Sequence, residues 1–121
     1  MRTNIHANGT TLTPALREYV EGKIVASLTP LVEGDDSAML DIELELTTRH
    51  HKKGDVWRAE ANLSIGGQMI RSEHTAEDIH TAIDVVEEDI VRETKKYKDK
   101  GRTHQREGGR RFKDFLRRWT S

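Results

Sequence analysis

The order of hydrophobic patterns predicts an α+β domain of β-α-β-β-β-α order, a two-layer sandwich in which two helices cover one face of a mixed four-stranded sheet. Three observations carry this. Two segments repeat apolar residues at intervals of three and four, four shorter ones alternate apolar with polar, and Gly66-Gly67 joins the last two alternating segments as a hairpin signal. Each helix offers one apolar stripe and each strand one apolar side, so both helices share one sheet face and the other face is polar. The first β-α-β step should be a right-handed parallel crossover, and the next two connections antiparallel.

Thr3, Ile5 and Ala7 alternate with Asn4 and His6, giving a short strand that ends at Asn8-Gly9. Thr13 is a good N-cap and Pro14 a good first helical residue. Leu16, Tyr19, Val20, Ile24 and Leu28 then follow at helical spacing, until Pro30 stops the run. Arg17 and Lys23 fall off that stripe. The acidic loop Glu33-Gly34-Asp35-Asp36 leads into Leu40–Leu46, where Asp41, Glu43 and Glu45 occupy the open side. Neighbours two apart on a strand lie about 7 Å from each other. That is wide for sharing one ion, and repelling RNA from the wrong face is an alternative use for the three acids. Arg49-His50-His51-Lys52-Lys53-Gly54 is a basic connection whose paired histidines lack a third metal ligand. Trp57, Ala59, Ala61, Leu63 and Ile65 form the third strand, and Gln68 to His74 returns as the fourth.

The longest element is predicted over Thr75–Gly101. Thr75 with Asp78 reads as an N-cap with a capping-box acid, and Ile79, Ala82, Ile83, Val86 and Ile90 line one face. Beyond Val91 only Tyr97 continues the stripe, while Arg92, Lys95, Lys96, Lys98 and Lys100 accumulate around it. Gly101 supplies a helix stop. Lysines in a last turn can simply serve the dipole and the final carbonyls, but this basic zone is longer than a cap requires.

Residues 1–101 thus form the folded domain and 102–121 a basic tail. GRTHQREGG, from 101 to 109, reads as a flexible linker. After it, Phe112, Phe115, Leu116 and Trp119 fall at i, i+3, i+4, i+7 among Arg110, Arg111, Lys113, Arg117 and Arg118. This is a short basic amphipathic helix, too short to be stable alone, with three open fates: docking on RNA or a protein partner, folding back on its own domain, or disorder.

The formal net charge of −1 hides a segregation. From 92 to 121 there are 12 Lys/Arg against 4 Asp/Glu, whereas 1–91 holds 8 against 17. An acidic body with a basic end fits either a polyanion-binding segment or a solvated surface. With no cysteine in the chain, disulfides and thiolate zinc sites are excluded. No apolar signal region opens the sequence and no run is long enough to cross a bilayer, so a soluble cytoplasmic protein without membrane contact is expected. No G-x-S-x-G, P-loop, G-x-G-x-x-G or H-E-x-x-H occurs, and His74, Glu77 and His80 match no zinc-enzyme spacing. Neither enzyme activity nor a cofactor or metal is expected. What remains is electrostatic: cations along a rigid helix contact successive phosphates and read RNA by shape.

Asp78-Ile79-His80-Thr81-Ala82-Ile83-Asp84, followed by a helix ending RETKKYKDK, resembles the signature of the ribosome hibernation promoting factor family, which includes ribosome-associated inhibitor A. That pattern is roughly D-x-Y-x-A-I-D and then a basic K-x-K-x-K-like tract. Asp78, Ala82, Ile83, Asp84, Lys96, Lys98 and Lys100 fit, and His80 stands where the family usually has Tyr. Thr13–Val20 is similar to the family's first helix, so the resemblance covers about residues 2–102. It implies a short-form translation inhibitor that occupies the channel of the small ribosomal subunit used by messenger and transfer RNA. It also implies competition with both and a monomer off the ribosome. The implied rRNA contacts are Arg17, Lys23, Arg92, Lys95, Lys96, Lys98, Lys100 and Arg102, with Lys52 and Lys53 second in rank. Arg110, Arg111, Phe112, Phe115 and Trp119 would anchor the tail. The alternative is a protein-interaction adaptor that uses the basic aromatic tail on an acidic partner.

Overall fold

The computed structural model describes residues 1–48 and 55–107. β1 (Arg2–Asn8) is followed by a helical run made of α1 (Pro14–Val20), a π-helical turn (Glu21–Val25), α2 (Ala26–Leu28) and a 3-10 turn (Thr29–Val32). Then come β2 (Met39–Thr48), β3 (Asp55–Ile65), β4 (Gln68–Ala76) and α3 (Ile79–Glu107). The four strands lie in the order β1-β2-β3-β4, with β1 parallel to β2 and the other pairs antiparallel. The two-layer α+β architecture is therefore the one the alternation predicts.

One layer of contacts makes the core. Val20, Ile24 and Leu28 from the first helical run, Leu40, Ile42 and Leu44 of β2 and Ile83, Val86 and Ile90 of α3 join one buried cluster, in which α3 lies over β3 and β4 and packs beside the first helical run; all are fully buried or nearly so. β3 contributes Ala59 and Ala61, whose small side chains let a helix approach the sheet closely. Each large aliphatic side chain buried here is worth about 1.5–3 kcal/mol against exposure. That seats α3 firmly along its first three turns.

Local chemistry sets the ends. Thr13 caps α1 by accepting a hydrogen bond from the Leu16 amide at 3.1 Å, and Pro14 opens the helix as expected. The β3–β4 turn places Gly66 at φ 56° and Gly67 at φ 78°, the doubly left-handed turn that matches strand twist. Asp35 pins this turn from the preceding loop by accepting the Gly66 amide at 3.2 Å. Gly9 is the more demanding position. At φ 71° its missing Cβ would collide with the Leu46 backbone carbonyl oxygen on β2. Gly9→Ala is expected to cost about 3 kcal/mol from left-handed strain plus overpacking, read as a lowered midpoint in urea unfolding.

Two expected helix boundaries are corrected. Thr75 does not cap α3; it lies in β4 opposite Arg58, because the β3–β4 ladder continues to the pair Trp57–Ala76 and keeps a β-branched residue extended. Asp78 takes the cap, its carboxylate accepting from the Thr81 amide at 3.2 Å and its carbonyl from the Ala82 amide at 3.1 Å. Nor does Gly101 end α3, which runs on to Glu107. Glycine inside a helix costs only about 1 kcal/mol relative to alanine. A glycine stop also draws on an apolar contact from the next residue, and that residue is Arg102.

Candidate nucleic-acid interface

On α3 the helical repeat sorts the basic residues by direction. Ile83, Val86 and Ile90 face the sheet, Thr94 is fully buried in the same direction, and Tyr97 is half-buried beside Gly66. Thr94 satisfies its buried hydroxyl by donating to the Ile90 carbonyl at 2.7 Å. At about 100° per residue, Arg92, Lys96 and Lys100 stack as one ridge on the outward side, with Lys95 beside them. All four are exposed. The ridge rises about 6 Å per member.

Lys98 leaves this set. It projects on the opposite flank and donates to the Leu31 carbonyl at 2.7 Å, satisfying an acceptor at the end of the first helical run. Arg92 pairs with Asp89 and Lys96 with Glu93 at 3.5 Å, both one turn back. Exposed pairs of this kind contribute about 0–1 kcal/mol, so a phosphate can replace the carboxylate at little cost. Lys95 and Lys100 have no ion-pair partner among the described residues. Because α3 ends at Glu107, the ridge lies well before the last turn, and capping the final carbonyls does not account for it.

Asp89 is a hub that the sequence did not single out. Ser72 on β4 donates to it at 2.8 Å, Arg92 pairs with it, and His74 Nε2 lies 3.5 Å away. The Ser72 hydroxyl, then the charge of Arg92, holds the Asp89 carboxyl below its ordinary range. Strand and helix are stitched together directly beneath the ridge. His74 and His80 do not converge: His80 stands at the start of α3 beside Asp78 at 3.5 Å, and no metal-binding group of three occurs among the described residues.

Arg17 and Lys23 form a separate, weaker patch. Both are exposed on the first helical run, with Arg17 3.9 Å from Glu21 and Lys23 3.9 Å from Asp84. About 16 Å of helix separates Asp84 from Lys95, and Glu87 and Glu88 fall between. Tyr19 organises the patch: its hydroxyl donates to Asp84 at 2.6 Å, its ring meets the His80 ring edge-on at 4.4 Å, and Lys23 sits 5.9 Å above it. His80 is thus an aromatic partner for Tyr19, spaced by the same motif that places Asp84. The hydrogen bond to Asp84, with burial adding to it, pushes the Tyr19 phenol up to about 12. A raised phenol pKa means the fold holds that proton more tightly. Its stabilisation is full below the ordinary value near 10 and is lost as pH rises through about 12. In an alkaline ultraviolet titration one tyrosine should ionise near pH 12, and Asp84→Asn should bring it back toward 10.

The far side of the sheet carries opposite charge. Asp41, Glu43, Glu45, Glu60 and Glu73 share it with Arg2, Arg58 and Arg71. Arg58 bonds Glu60 at 2.8 Å and Glu73 at 3.2 Å, while its Nη1 lies 3.8 Å from Glu43 without a hydrogen bond. Arg71 reaches Glu60 at 3.0 Å. The Asn62 amide, with help from Arg71, keeps the Glu60 carboxyl below its usual range. The open sheet face is thus net acidic, while on the helical layer the cations gather on the second half of α3, from Arg92 to Lys100.

Arg102 falls within the span of α3. Lys52 and Lys53, and the tail residues Arg110, Arg111, Phe112, Phe115 and Trp119, lie outside the described residues.

Residues 3–102 match the family described as sigma 54 modulation protein / S30EA ribosomal protein. Ribosome hibernation promoting factors of Klebsiella oxytoca and Escherichia coli K12 are 27% and 28% identical over 104 residues, covering 86% of this chain and 100% of theirs. The ribosome hibernation promotion factor of Picosynechococcus is 26% identical over 111 residues, 88% of this chain but 55% of the relative. The chain therefore spans about half the length of that protein, while covering the shorter relatives end to end. In fold it is similar to the N-terminal domain of Thermus thermophilus Protein Y, with TM-score 0.65, 22% identity and coverage of 80% and 99%. A ribosomal subunit interface protein from Coxiella burnetii gives TM-score 0.64, 20% identity and coverage of 82% and 99%.

Proposed function

The chain belongs to the sigma 54 modulation protein / S30EA ribosomal protein family, and from that premise we propose that it is a non-catalytic ribosome hibernation factor. It binds small-subunit rRNA in the channel that messenger RNA and transfer RNA use, and blocks translation by occupying that space. Ribosome association places it in the cytoplasm. The observation that carries this reading is the ridge of Arg92, Lys96 and Lys100 with Lys95, held outward on a helix whose opposite side is locked into the core.

A rigid row of cations suits a phosphate backbone. Each contact releases condensed counterions, and because the helix is seated by its buried face, little side-chain platform has to be ordered on binding. The deep, narrow major groove of A-form RNA gives such a helix little base information, so recognition is of backbone and shape. Arg17 and Lys23 supply a second contact, with Lys23 beside Asp84 about 16 Å back along α3 from Lys95, and the acidic sheet face turns toward solvent or protein. Steric blockade needs no turnover, cofactor or metal.

The direct test is co-sedimentation of the purified protein with small subunits across a salt series, with messenger and transfer RNA as competitors. Binding that weakens with salt and yields to both competitors is expected. Absence of binding at low salt, or binding indifferent to the competitors, would remove the channel from the reading.

A further inference from the structure

We propose that the open face of the sheet is a docking surface for the chain's own residues 110–119. The face carries an apolar feature that the ribosome reading leaves unused. Met39 on β2 and Met69 on β4 both pair across Ser64 of β3, so the three side chains stand in one row on the open side. Met39 is 46% and Met69 63% exposed. With two strand spacings between them the methionines stand about 10 Å apart, close to the diameter of a helix with its side chains. Asn4, Leu40, Asp41, Asn62 and Ser64 line the hollow between them. Thioethers are adaptable packing partners for aromatic rings, which they contact with sulfur about 5 Å from the ring.

The occupant is argued from charge and position. In and beside the methionine row, where Arg2 pairs with Met39, the face holds five carboxylates against three guanidinium groups, Arg2, Arg58 and Arg71. Residues 110–119 hold five Lys/Arg against Asp114, with Phe112, Phe115 and Trp119 on one side of a helical repeat. Aromatic rings and cations are therefore presented together to thioethers and carboxylates. The chain also arrives at the right end. Tyr97 brings α3 past the β3–β4 turn beside Gly66, and Met69 follows that turn directly. From Tyr97 to Glu107 the helix advances about 15 Å, and the segment from 108 to 112 can return about 17 Å when extended, with Gly108-Gly109 allowing the reversal. Docking would cover three aromatic side chains and set the tail's cations against carboxylates until a stronger polyanion draws them away.

The chain has no cysteine, so Ser121→Cys gives a single site for a nitroxide label on the full-length protein. In dilute solution the label should erase the methyl signals of Met39 and Met69 and the amide signals of Asn62 and Glu43, and spare the exposed residues of α3. Trp119→Ala in the labelled chain should restore those signals, and so should high salt. Open-face signals of full intensity, or loss confined to the helix side, would overturn the proposal. So would loss that appears only when labelled and isotope-enriched copies are mixed, since that would make a second copy the source of the occupant.

Discussion

Replacing Arg92, Lys95, Lys96 and Lys100 together by glutamine is expected to weaken ribosome binding about a hundredfold or more near physiological salt, and to reduce the steepness of the log K against log salt plot by about 3. Four cations on one exposed arc of α3 each displace counterions on meeting a phosphate, and the change in slope counts them. Arg92 and Lys96 contribute despite their intrahelical pairs with Asp89 and Glu93, because such exposed pairs are weak enough to exchange. Lys98→Gln is the discriminating control. Its ammonium already serves the Leu31 carbonyl, so this variant should lose a little stability and leave the salt slope in place. A slope unchanged in the fourfold variant, or an equal loss from Lys98→Gln alone, would show that the ridge is not the phosphate contact.

Ile90→Ala is expected to destabilise the fold by about 3 kcal/mol, from lost transfer energy plus the cavity left behind. Ile90 is the last fully buried aliphatic side chain of α3 before the ridge begins, with only the partly buried Val91 between them. A domain of this size typically has about 5–15 kcal/mol in total, so the change should lower the melting temperature by roughly 15 °C or more. Val85, 38% exposed on the same helix, is the comparison, and Val85→Ala should shift the transition by a few tenths of a kcal/mol, about the scale of ordinary surface changes. Well below its transition Ile90→Ala should keep the wild-type salt slope, because the cations are untouched. Loss of slope without unfolding would mean that core packing positions the ridge more finely than one buried side chain implies.

The fold was legible because its elements are locally consistent. Alternation in Leu40–Leu46 and Trp57–Ile65 named the inward residues of β2 and β3, and the three- and four-residue repeat named the buried side of α3. Thr13-Pro14 marked the first helix correctly through capping chemistry that needs no distant contact. Both errors arose where a local signal met a longer-range one. Thr75 is a sound cap in isolation, but the β3–β4 ladder holds it extended, and Gly101 is a sound stop that the helix simply absorbs.

The candidate site was legible as composition and only partly as geometry. Segregated charge, the basic tract after Val91 and its spacing are properties of the chain read in order, so the sequence by itself determined that a cationic segment continues an otherwise buried helix. Which lysines face outward together was decided by tertiary packing. Once Ile83, Val86 and Ile90 orient α3 on the sheet, Lys98 is turned to the Leu31 carbonyl and Arg92, Lys95, Lys96 and Lys100 are left in water. Packing also separated Arg17 and Lys23 from that ridge, tied Tyr19 to Asp84 and gathered Ser72, His74 and Arg92 on Asp89. These partners lie tens of residues apart or on different elements. Periodicity along one element carries no information about which flank of a neighbouring element will stand beside it, and only the burial of both apolar faces against one sheet fixes that relation.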